Sequence, residues 1–482
     1  MSSPTPVVTG SSHPSDRPQV SPRREIAQIA VPVSTEFVLT LVLNFVNQVV
    51  VGTLGATAIA AVGFANSLSS ILVLTLGALG ASVSILAARA HGGGRAGELD
   101  QTVSVAMVLA LAAGLLAALP PLLWGQPLMR LVGASETVAA AGGTYLRLIG
   151  IAVVPMLVAA MLSGVLRSTG RPRSPMVATF VTVAVNGVLG FGLVTGAGPL
   201  PELGVAGAGV STLITATLKA LILATQVYSV HRIVRWRLPA DRLTWRSVGS
   251  ALLVLAVPLG ITELFWTSGT FLYNVVFQQL GDDALAAAQI VNSLEGIFIV
   301  GSIGLMSATT ALVGREVGRG DAAAAAAWVR RIKRAGMLTG IGFGLLYGAT
   351  ALLVGQLFPS AGAEVRTMAV VGILVYAVSQ VVKVRNMILG AGVLPSADDV
   401  RGVIMGDVVG AFAVGLPLAV VLGMFTPLGV AGVFLARVIE ELAKNAIFTR
   451  RTRRVSWSAL ADRTTGPEPR RPSEMDELEA LA

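Results

Sequence analysis

Residues 49–68, VVVGTLGATAIAAVGFANSL, return 226 positions later as VVFQQLGDDALAAAQIVNSL at 275–294. The same offset holds from residue 30 to residue 94, where 20 of 65 aligned positions are identical. Abundant Ala, Leu, Val and Gly raise the number of chance matches, but chance does not keep one offset across two apolar runs, a turn and a basic loop. The chain therefore contains an internal duplication. The last identities are Arg89, Gly92 and Gly94 with Arg315, Gly318 and Gly320.

The register of the repeat nearly persists through the rest of each half. LGVAG at 203–207 matches LGVAG at 428–432 at an offset of 225, and GVL at 164–166 matches GVL at 392–394 at 228. Two homologous halves therefore fill the chain from about residue 27 to 450.

The composition is that of a membrane protein. Of the 482 residues, 54% are hydrophobic and 13% charged, and the mean hydropathy is +0.76, whereas about a quarter of the residues in soluble domains are charged. The absence of cysteine excludes disulfides and thiolate sites. No Walker A motif and no nucleophile or metal-ligand pattern occurs, so we expect no cofactor and no enzymatic activity.

Twelve apolar runs are long enough to cross a bilayer, which takes about 20 residues. Closely spaced Gly and Ala favour packed helices over a β-barrel. The sequence thus predicts an all-α integral membrane protein with twelve transmembrane helices, six in each half. Because six is even, the two homologous six-helix bundles enter the membrane in the same direction, related by a pseudo-twofold axis along its normal. The predicted spans are 27–51, 62–87, 103–124, 143–166, 176–197, 204–229, 249–273, 285–311, 335–357, 367–390, 402–424 and 428–449.

The spans divide the chain into two lobes and three polar segments. We predict an N-lobe at 27–229, a C-lobe at 249–450 and a cytoplasmic linker at 230–248. The polar ends, 1–26 and 451–482, are predicted to be cytoplasmic tails, the first of them disordered.

The positions of the basic residues predict how the chain is oriented in the membrane. Of 35 Lys and Arg, 27 lie in the two tails and the loops after even-numbered spans, and the opposite loops hold only Arg130 and Arg366. By the positive-inside rule, both termini are cytoplasmic in a multi-pass protein of the plasma membrane. This bias accounts for the net charge of +9 without a nucleic-acid partner.

Ionisable side chains inside the spans are the candidate functional residues, since a charge is costly in a membrane. Glu36 and Glu263 lie on the first helix of each half, one position apart in the repeat register. Each could titrate or bind Na⁺ or an organic cation, with a structural hydrogen bond as the alternative. For Glu295 in span 8, function and helix packing are equal alternatives. Lys383 in span 10 needs a carboxylate partner, which Glu263 or Glu295 could supply.

A second group of charges lies in spans 11 and 12. Arg437 with Glu441, and Glu440 with Lys444, are spaced i,i+4, so each pair can neutralise itself within one helix. This spacing favours a structural ion-pair ladder, with ion coupling as the alternative. Asp407 in span 11 is a further candidate.

Three segments resemble a known family. VVVGTLGATAIAAVG at 49–63, followed by Asn66-Ser67, is similar to the signature after the first helix of multidrug and toxic compound extrusion (MATE) transporters. GVLRSTG at 164–170 resembles that family's loop after helix 4, and LGVAG at 203–207 resembles its entry to helix 6. The resemblance implies a V-shaped pair of six-helix bundles that exports drugs, often organic cations, in exchange for Na⁺ or H⁺.

The resemblance carries over to the ion-coupling residues only in part. Glu263 lies where similar proteins place a helix-7 acid used in cation coupling, which implies H⁺ or Na⁺ binding there. Two frequent N-lobe aspartates are replaced by Asn47 and by Gly190, four residues after Asn186, and a helix-10 acid found in one branch is replaced by Gln380. Coupling is therefore expected to rest on Glu263 and Glu36 with Glu295; the alternative is a substrate that differs from a typical cationic drug.

These observations predict a secondary active exporter that works by alternating access. Its substrate would be a small, lipophilic, cationic compound moved against H⁺ or Na⁺. The alternative is a flippase or an exporter of a lipid-linked or other non-cationic substrate, which would need several cations along the cleft. The spans offer Arg147, Lys219, Lys383 and Arg385 for this purpose. We expect a monomer in the lipid bilayer with no obligate protein partner.

Overall fold

The computed structural model describes residues 21–131 and 133–465, which are largely helical. We number the helices in chain order and include a π or 3₁₀ turn in the helix that it continues. They are α1 Pro22–Gly52, α2 Ala56–Gly92, α3 Ala96–Leu131, α4 Glu136–Ser168, α5 Arg173–Thr195, α6 Val205–Val230, α7 Arg242–Gln279, α8 Asp282–Gly318, α9 Ala322–Leu357, α10 Ala363–Ser396, α11 Val400–Met424, α12 Gly429–Arg453 and α13 Trp457–Thr465.

The repeated Leu-Gly forms the same turn in both halves. Gly55 between α1 and α2 has φ 94°, and Gly281 between α7 and α8 has φ 118°. Residues with a Cβ rarely adopt such angles, so glycine allows the chain to reverse sharply at both positions. The paired helices that carry the duplication therefore start from equivalent turns.

Aspartate side chains begin three of the helices on the C-terminal side of the linker. Asp241, Asp321 and Asp399 accept hydrogen bonds from the backbone N–H groups three residues later, at 2.8, 2.8 and 3.0 Å. Each bond satisfies a donor that the first turn of a helix leaves free. These residues place the starts of α7, α9 and α11.

Eleven helices among the described residues are long and apolar enough to cross a membrane. The twelfth predicted span corresponds to α12, which has 25 residues but carries the ionisable cluster from Arg437 to Lys444. Its neighbours supply partners for these charges, so a helix of lower hydropathy fits within the bundle. The helices form two bundles, α1–α6 and α7–α12, which confirms the predicted two-lobed helical fold.

The ends of the chain depart from the expected tails. Residues 1–20 and 466–482 lie outside the described residues, and α1 begins at Pro22, within the predicted N-terminal tail. In the predicted C-terminal tail, α13 packs on α8 and α9 and buries Leu460 and Ala461. The apolar residues of this short segment occupy one helical face, a pattern too brief to stand out from the sequence.

The lobes meet most closely at the basic end of the molecule, where α2 crosses α8. A Cβ atom on Gly92 would lie 2.1 Å from the backbone oxygen of Arg315, and one on Gly318 would lie 2.0 Å from that of Arg89. Only glycine permits so close an approach. The identities at the end of the repeat are thus the two halves of one symmetric helix crossing.

The two repeated arginines also join the lobes at this end. Arg89 donates to Ser396 O at 2.7 Å and forms an ion pair with Asp398 at 2.9 Å, both in the C-lobe. Arg315 of the C-lobe forms an ion pair with Glu25 of the N-lobe at 2.8 Å. The basic end is therefore closed by charge pairs as well as by packing.

The linker between α6 and α7 is attached to the N-lobe. Asp100 Oδ1 accepts the backbone N–H of Arg235 at 2.8 Å, and Ser104 Oγ accepts that of Arg237 at 3.0 Å. Val234, immediately before Arg235, is buried in the N-lobe core. These bonds satisfy backbone donors that an extended segment would otherwise leave to water.

Candidate functional site

A cavity with charged residues in its wall lies among the helices of each lobe. The N-lobe cavity has a volume of about 600 Å³ and lies among α1, α2, α4, α5 and α6. The C-lobe cavity has a volume of about 290 Å³ and lies among α7, α8, α10, α11 and α12. Sequence-predicted candidates line both cavities, but their partners differ in the two lobes.

Glu36 is bound by two cations in the N-lobe cavity. Its carboxylate is 2.8 Å from Nη2 of Arg167 on α4 and 3.3 Å from Nζ of Lys219 on α6. Thr179 on α5 donates to the same carboxylate at 3.4 Å. The guanidinium of Arg167 also lies over the ring of Phe37, 5.5 Å from its centroid. Glu36 is therefore the shared partner of a cationic pair, which the sequence did not predict.

Asn47 and Asn186 also line the N-lobe cavity. Asn186 donates to Thr215 Oγ1 at 3.0 Å, but its buried Oδ1 has no hydrogen-bond partner among the described residues. A Cβ atom on Gly190 would lie 3.4 Å from Ser211 Oγ and 3.7 Å from that Oδ1. Polar groups thus surround the position where similar proteins carry an aspartate, and no carboxylate is present.

Glu295 and Lys383 form an ion pair in the C-lobe cavity. Their Oε1 and Nζ atoms are 2.6 Å apart, and Gln380 donates to the same oxygen at 2.8 Å. Lys383 also lies over the ring of Tyr376, 5.3 Å from its centroid. Of the two partners expected for Lys383, the structure selects Glu295.

The charges of α12 form only one of the two expected pairs. Lys444 lies 2.7 Å from Glu440 and 3.5 Å from Asp407. Arg437 does not pair with Glu441 as the spacing suggested. Its guanidinium lies over the ring of Tyr273, 4.7 Å from the centroid, because aromatic faces attract cations.

The carboxylate of Glu441 has a different partner. Asn386 on α10 donates to Glu441 Oε2 at 2.7 Å and to its backbone oxygen at 2.8 Å. Tyr273 on α7 donates to Glu440 Oε2 at 2.6 Å. Partners on other helices therefore replace the predicted Arg437–Glu441 pair and add to the Glu440–Lys444 pair, because they reach the carboxylates within the packed bundle.

Glu263 differs from the other candidates because it has no ion-pair or hydrogen-bond partner among the described residues. It is half-buried on α7, and the nearby carboxylate of Asp407 repels its charge. A carboxylate in this setting is costly unless a proton or a cation joins it.

The repeat explains why Glu36, on the first helix of the N-lobe, has a lysine partner and Glu263, on the first helix of the C-lobe, does not. At the offsets of 225 and 228, Lys219 corresponds to Lys444 and Thr179 to Asp407. In the N-lobe the hydroxyl leaves the lysine free to bind Glu36. In the C-lobe Asp407 and Glu440 hold the lysine, and Glu263 is left without one.

The cavities consequently carry opposite formal charges. The N-lobe cavity is lined by two cations and one carboxylate, whereas the C-lobe cavity is lined by three cations and four carboxylates. Arg167 has Pro395 as its counterpart at the offset of 228. Comparing charges across the repeat could have found Arg167 and Lys219 before the structure was known.

The described residues contain no group of three His, Cys, Asp or Glu that could hold a metal ion. Any Na⁺ near Glu263 would need backbone, hydroxyl or water oxygens as further ligands.

Comparisons with known proteins agree with the arrangement of the chain as two homologous helical lobes. The MatE family model matches residues 32–191 and again 258–421, so its two copies start 226 residues apart. The chain is 27% identical over 431 residues to a probable multidrug resistance protein NorM of Bradyrhizobium diazoefficiens, covering 85% of this chain and 89% of that relative.

Solved structures show the same fold. A MATE structure in the bent conformation has a TM-score of 0.84, is 19% identical and covers 92% of this chain and 97% of its own. An outward-facing multidrug resistance MATE family transporter of the MOP superfamily has a TM-score of 0.82, is 20% identical and covers 91% and 96%.

Proposed function

Since the chain belongs to the MatE family and is a multidrug efflux transporter, we propose that it exports lipophilic compounds across the plasma membrane in exchange for H⁺ or Na⁺. The two lobes would rock against each other around the cavities between their helices. The activity is transport and not catalysis, and the ion gradient would supply its energy without a cofactor. The chain would act as a monomer.

The unpaired carboxylate of Glu263 carries this proposal. The other candidate carboxylates have cationic or hydrogen-bonding partners, whereas Glu263 has none among the described residues. Burial opposes its charge most strongly, and repulsion by the carboxylate of Asp407 adds to this cost. Binding of H⁺ or Na⁺ would relieve this repulsion, and loss of the ion would restore it. A change of free energy on ion binding is what a coupled transporter must transmit to its lobes.

The substrate can be considered lobe by lobe. A lipophilic cation would suit the C-lobe cavity, where carboxylates outnumber cations; Glu263 is not among the residues that line this cavity. A non-cationic substrate is the second candidate, because the larger N-lobe cavity has a surplus of positive charge.

The closed basic end supports an outward-facing state. The basic residues would lie in the cytoplasm together with both termini. Entry of substrate from the cytoplasm would then require separation of the Gly92–Gly318 crossing and of the ion pairs made by Arg89 and Arg315.

The test is export of a fluorescent lipophilic cation from proteoliposomes, with pH and Na⁺ gradients imposed separately. Wild-type protein should export under one of the gradients, which identifies the coupling ion. Glu263→Gln should abolish that dependence, because the amide cannot be ionised. Glu364→Gln is the matched control, since this glutamate is exposed at the start of α10 and lines neither cavity.

Export by Glu263→Gln that follows the gradient as in wild type would remove this residue from coupling. Absence of export under both gradients, from folded and inserted protein, would contradict the antiport mechanism for this cation.

A further inference from the structure

The N-lobe cavity holds more positive charge than its own carboxylate can neutralise. Arg167 and Lys219 converge on Glu36, and the remaining lining residues are uncharged. One formal positive charge therefore remains in a membrane-embedded cavity, where water screens charge poorly. A bound anion would offset it.

Two donors in the same wall have no acceptor. Arg167 Nε and Ser163 Oγ are buried and make no hydrogen bond to any described residue. They lie four residues apart on α4, so they share one face of the helix, and both residues line the cavity. Ser163 is only 1% exposed. Buried hydrogen-bond donors normally have an acceptor, so these two donors indicate that an acceptor outside the described residues belongs in the cavity.

The rest of the cavity suits an amphipathic compound. From Glu36 to Asn47 the wall follows α1 for about 16 Å, at 1.5 Å per residue. Asn44 and Gln48 on this helix and Asn66 on α2 offer amide groups between apolar side chains. The cavity thus combines a cationic region with a long wall of mixed polarity.

We propose that the N-lobe cavity binds the anionic group, a carboxylate or a phosphate monoester, of an exported lipophilic compound. Arg167 and Lys219 would bind its oxygens, with Ser163 as a further donor. Glu36 would hold the two cations in place when the site is empty and would share them when the anion is bound. This inference rests on the proposed export function for its physiological meaning, but not on the identity of the coupling ion.

The test is equilibrium binding of three probes of similar size to purified protein in detergent, without any gradient. The probes are 1-naphthoate, 1-naphthyl phosphate and 1-naphthylmethylammonium. At the site that 1-naphthoate occupies, wild-type protein should bind 1-naphthyl phosphate at least about tenfold more tightly than the ammonium, as measured by displacement of 1-naphthoate, because the charge difference acts at short range.

Substitutions of opposite charge should have opposite effects. Lys219→Gln should weaken 1-naphthoate binding by about tenfold or more, and Lys219→Arg should restore it. Glu36→Gln should strengthen binding, because it removes the competing carboxylate. Lys333→Gln, which removes a half-buried lysine of α9 in the other lobe that lines neither cavity, should keep the wild-type affinity. Thermal unfolding would verify that each variant is folded.

A purely structural role of this ion-pair cluster predicts a different pattern. Both Lys219→Gln and Glu36→Gln would then weaken binding, or leave it unchanged, and that result would overturn the proposal. Equal displacement of 1-naphthoate by 1-naphthylmethylammonium and by 1-naphthyl phosphate would also overturn it, without use of any variant.

Nanodiscs distinguish two sources of the anionic group. If phosphatidic acid, whose head group is a phosphate monoester, displaces 1-naphthoate and phosphatidylcholine does not, the site takes an anionic lipid head group. If neither lipid displaces it, the site takes a soluble organic anion. Both results keep the anion site. Loss of gradient-driven export with intact anion binding would count against the transport mechanism and not against the site.

Discussion

Alanine at Gly92 or Gly318 should open the basic end of the molecule. The Cβ atom would lie 2.1 or 2.0 Å from a backbone oxygen of the opposite lobe, at Arg315 or Arg89, respectively. Real Cβ contacts are essentially never below 3.0 Å, so α2 and α8 would have to separate by at least about 1 Å. Backbone atoms form the obstacle on both sides, and no side chain can turn away to relieve it.

The energetic effect follows from this overpacking. A forced contact of this kind costs about 1–3 kcal/mol, which shifts the ratio of closed to open basic ends by about 5- to 150-fold. The penalty applies only while the lobes are in contact at this end. Export should fall as well, because the state that is closed at the basic end becomes too rarely populated for the transport cycle to be completed.

Distance measurements by electron spin resonance can detect the shift. The native chain has no cysteine, so Ala96→Cys and Ala323→Cys would carry the only spin labels, at exposed positions near the starts of α3 and α9. Gly92→Ala and Gly318→Ala should each lengthen the label-to-label distance in a larger fraction of molecules than in the labelled parent.

Gly249→Ala is the matched control, since nothing lies within 4 Å of the added Cβ atom. Unchanged distances and undiminished export in both Gly92→Ala and Gly318→Ala would refute the view that this crossing closes the basic end.

Two further predictions concern single side chains. Tyr273→Phe removes a buried hydroxyl that donates to the charged Glu440 at 2.6 Å, so it should destabilise the protein by about 1.5–3 kcal/mol. Tyr347→Phe removes a bond to a neutral backbone carbonyl and should cost only about 0.5–1.5 kcal/mol; thermal unfolding that ranks the two variants in reverse would contradict this. Partial burial and the positive charge of Arg171 lower the pKa of His231 below its ordinary value. This ring should therefore be neutral at pH 7. Because the folded protein binds the proton less readily than the unfolded chain, the folded state should lose stability as the pH falls through the ordinary histidine range. An NMR titration should find a higher pKa for His231 in Arg171→Gln.

The sequence located most of the candidate site without giving its connections. Glu36, Glu295 and Lys383 stood out because charges are rare in apolar spans, and the structure places each in a cavity wall. Their pairing depended on distances between different helices, which spacing along one helix cannot supply. For the same reason the i,i+4 rule predicted the pair of Glu440 with Lys444 but was wrong for Arg437.

The duplication, the helical class and the division into lobes were determined by the sequence itself. They follow from hydropathy and from one repeat offset, which are properties of the chain read in order. The contact of Gly92 with Arg315, and the opposite formal charges of the two cavities, were decided only by the tertiary structure. The physical reason is that electrostatic energy and steric contact depend on separation in space, and packing alone sets that separation between residues distant in the chain.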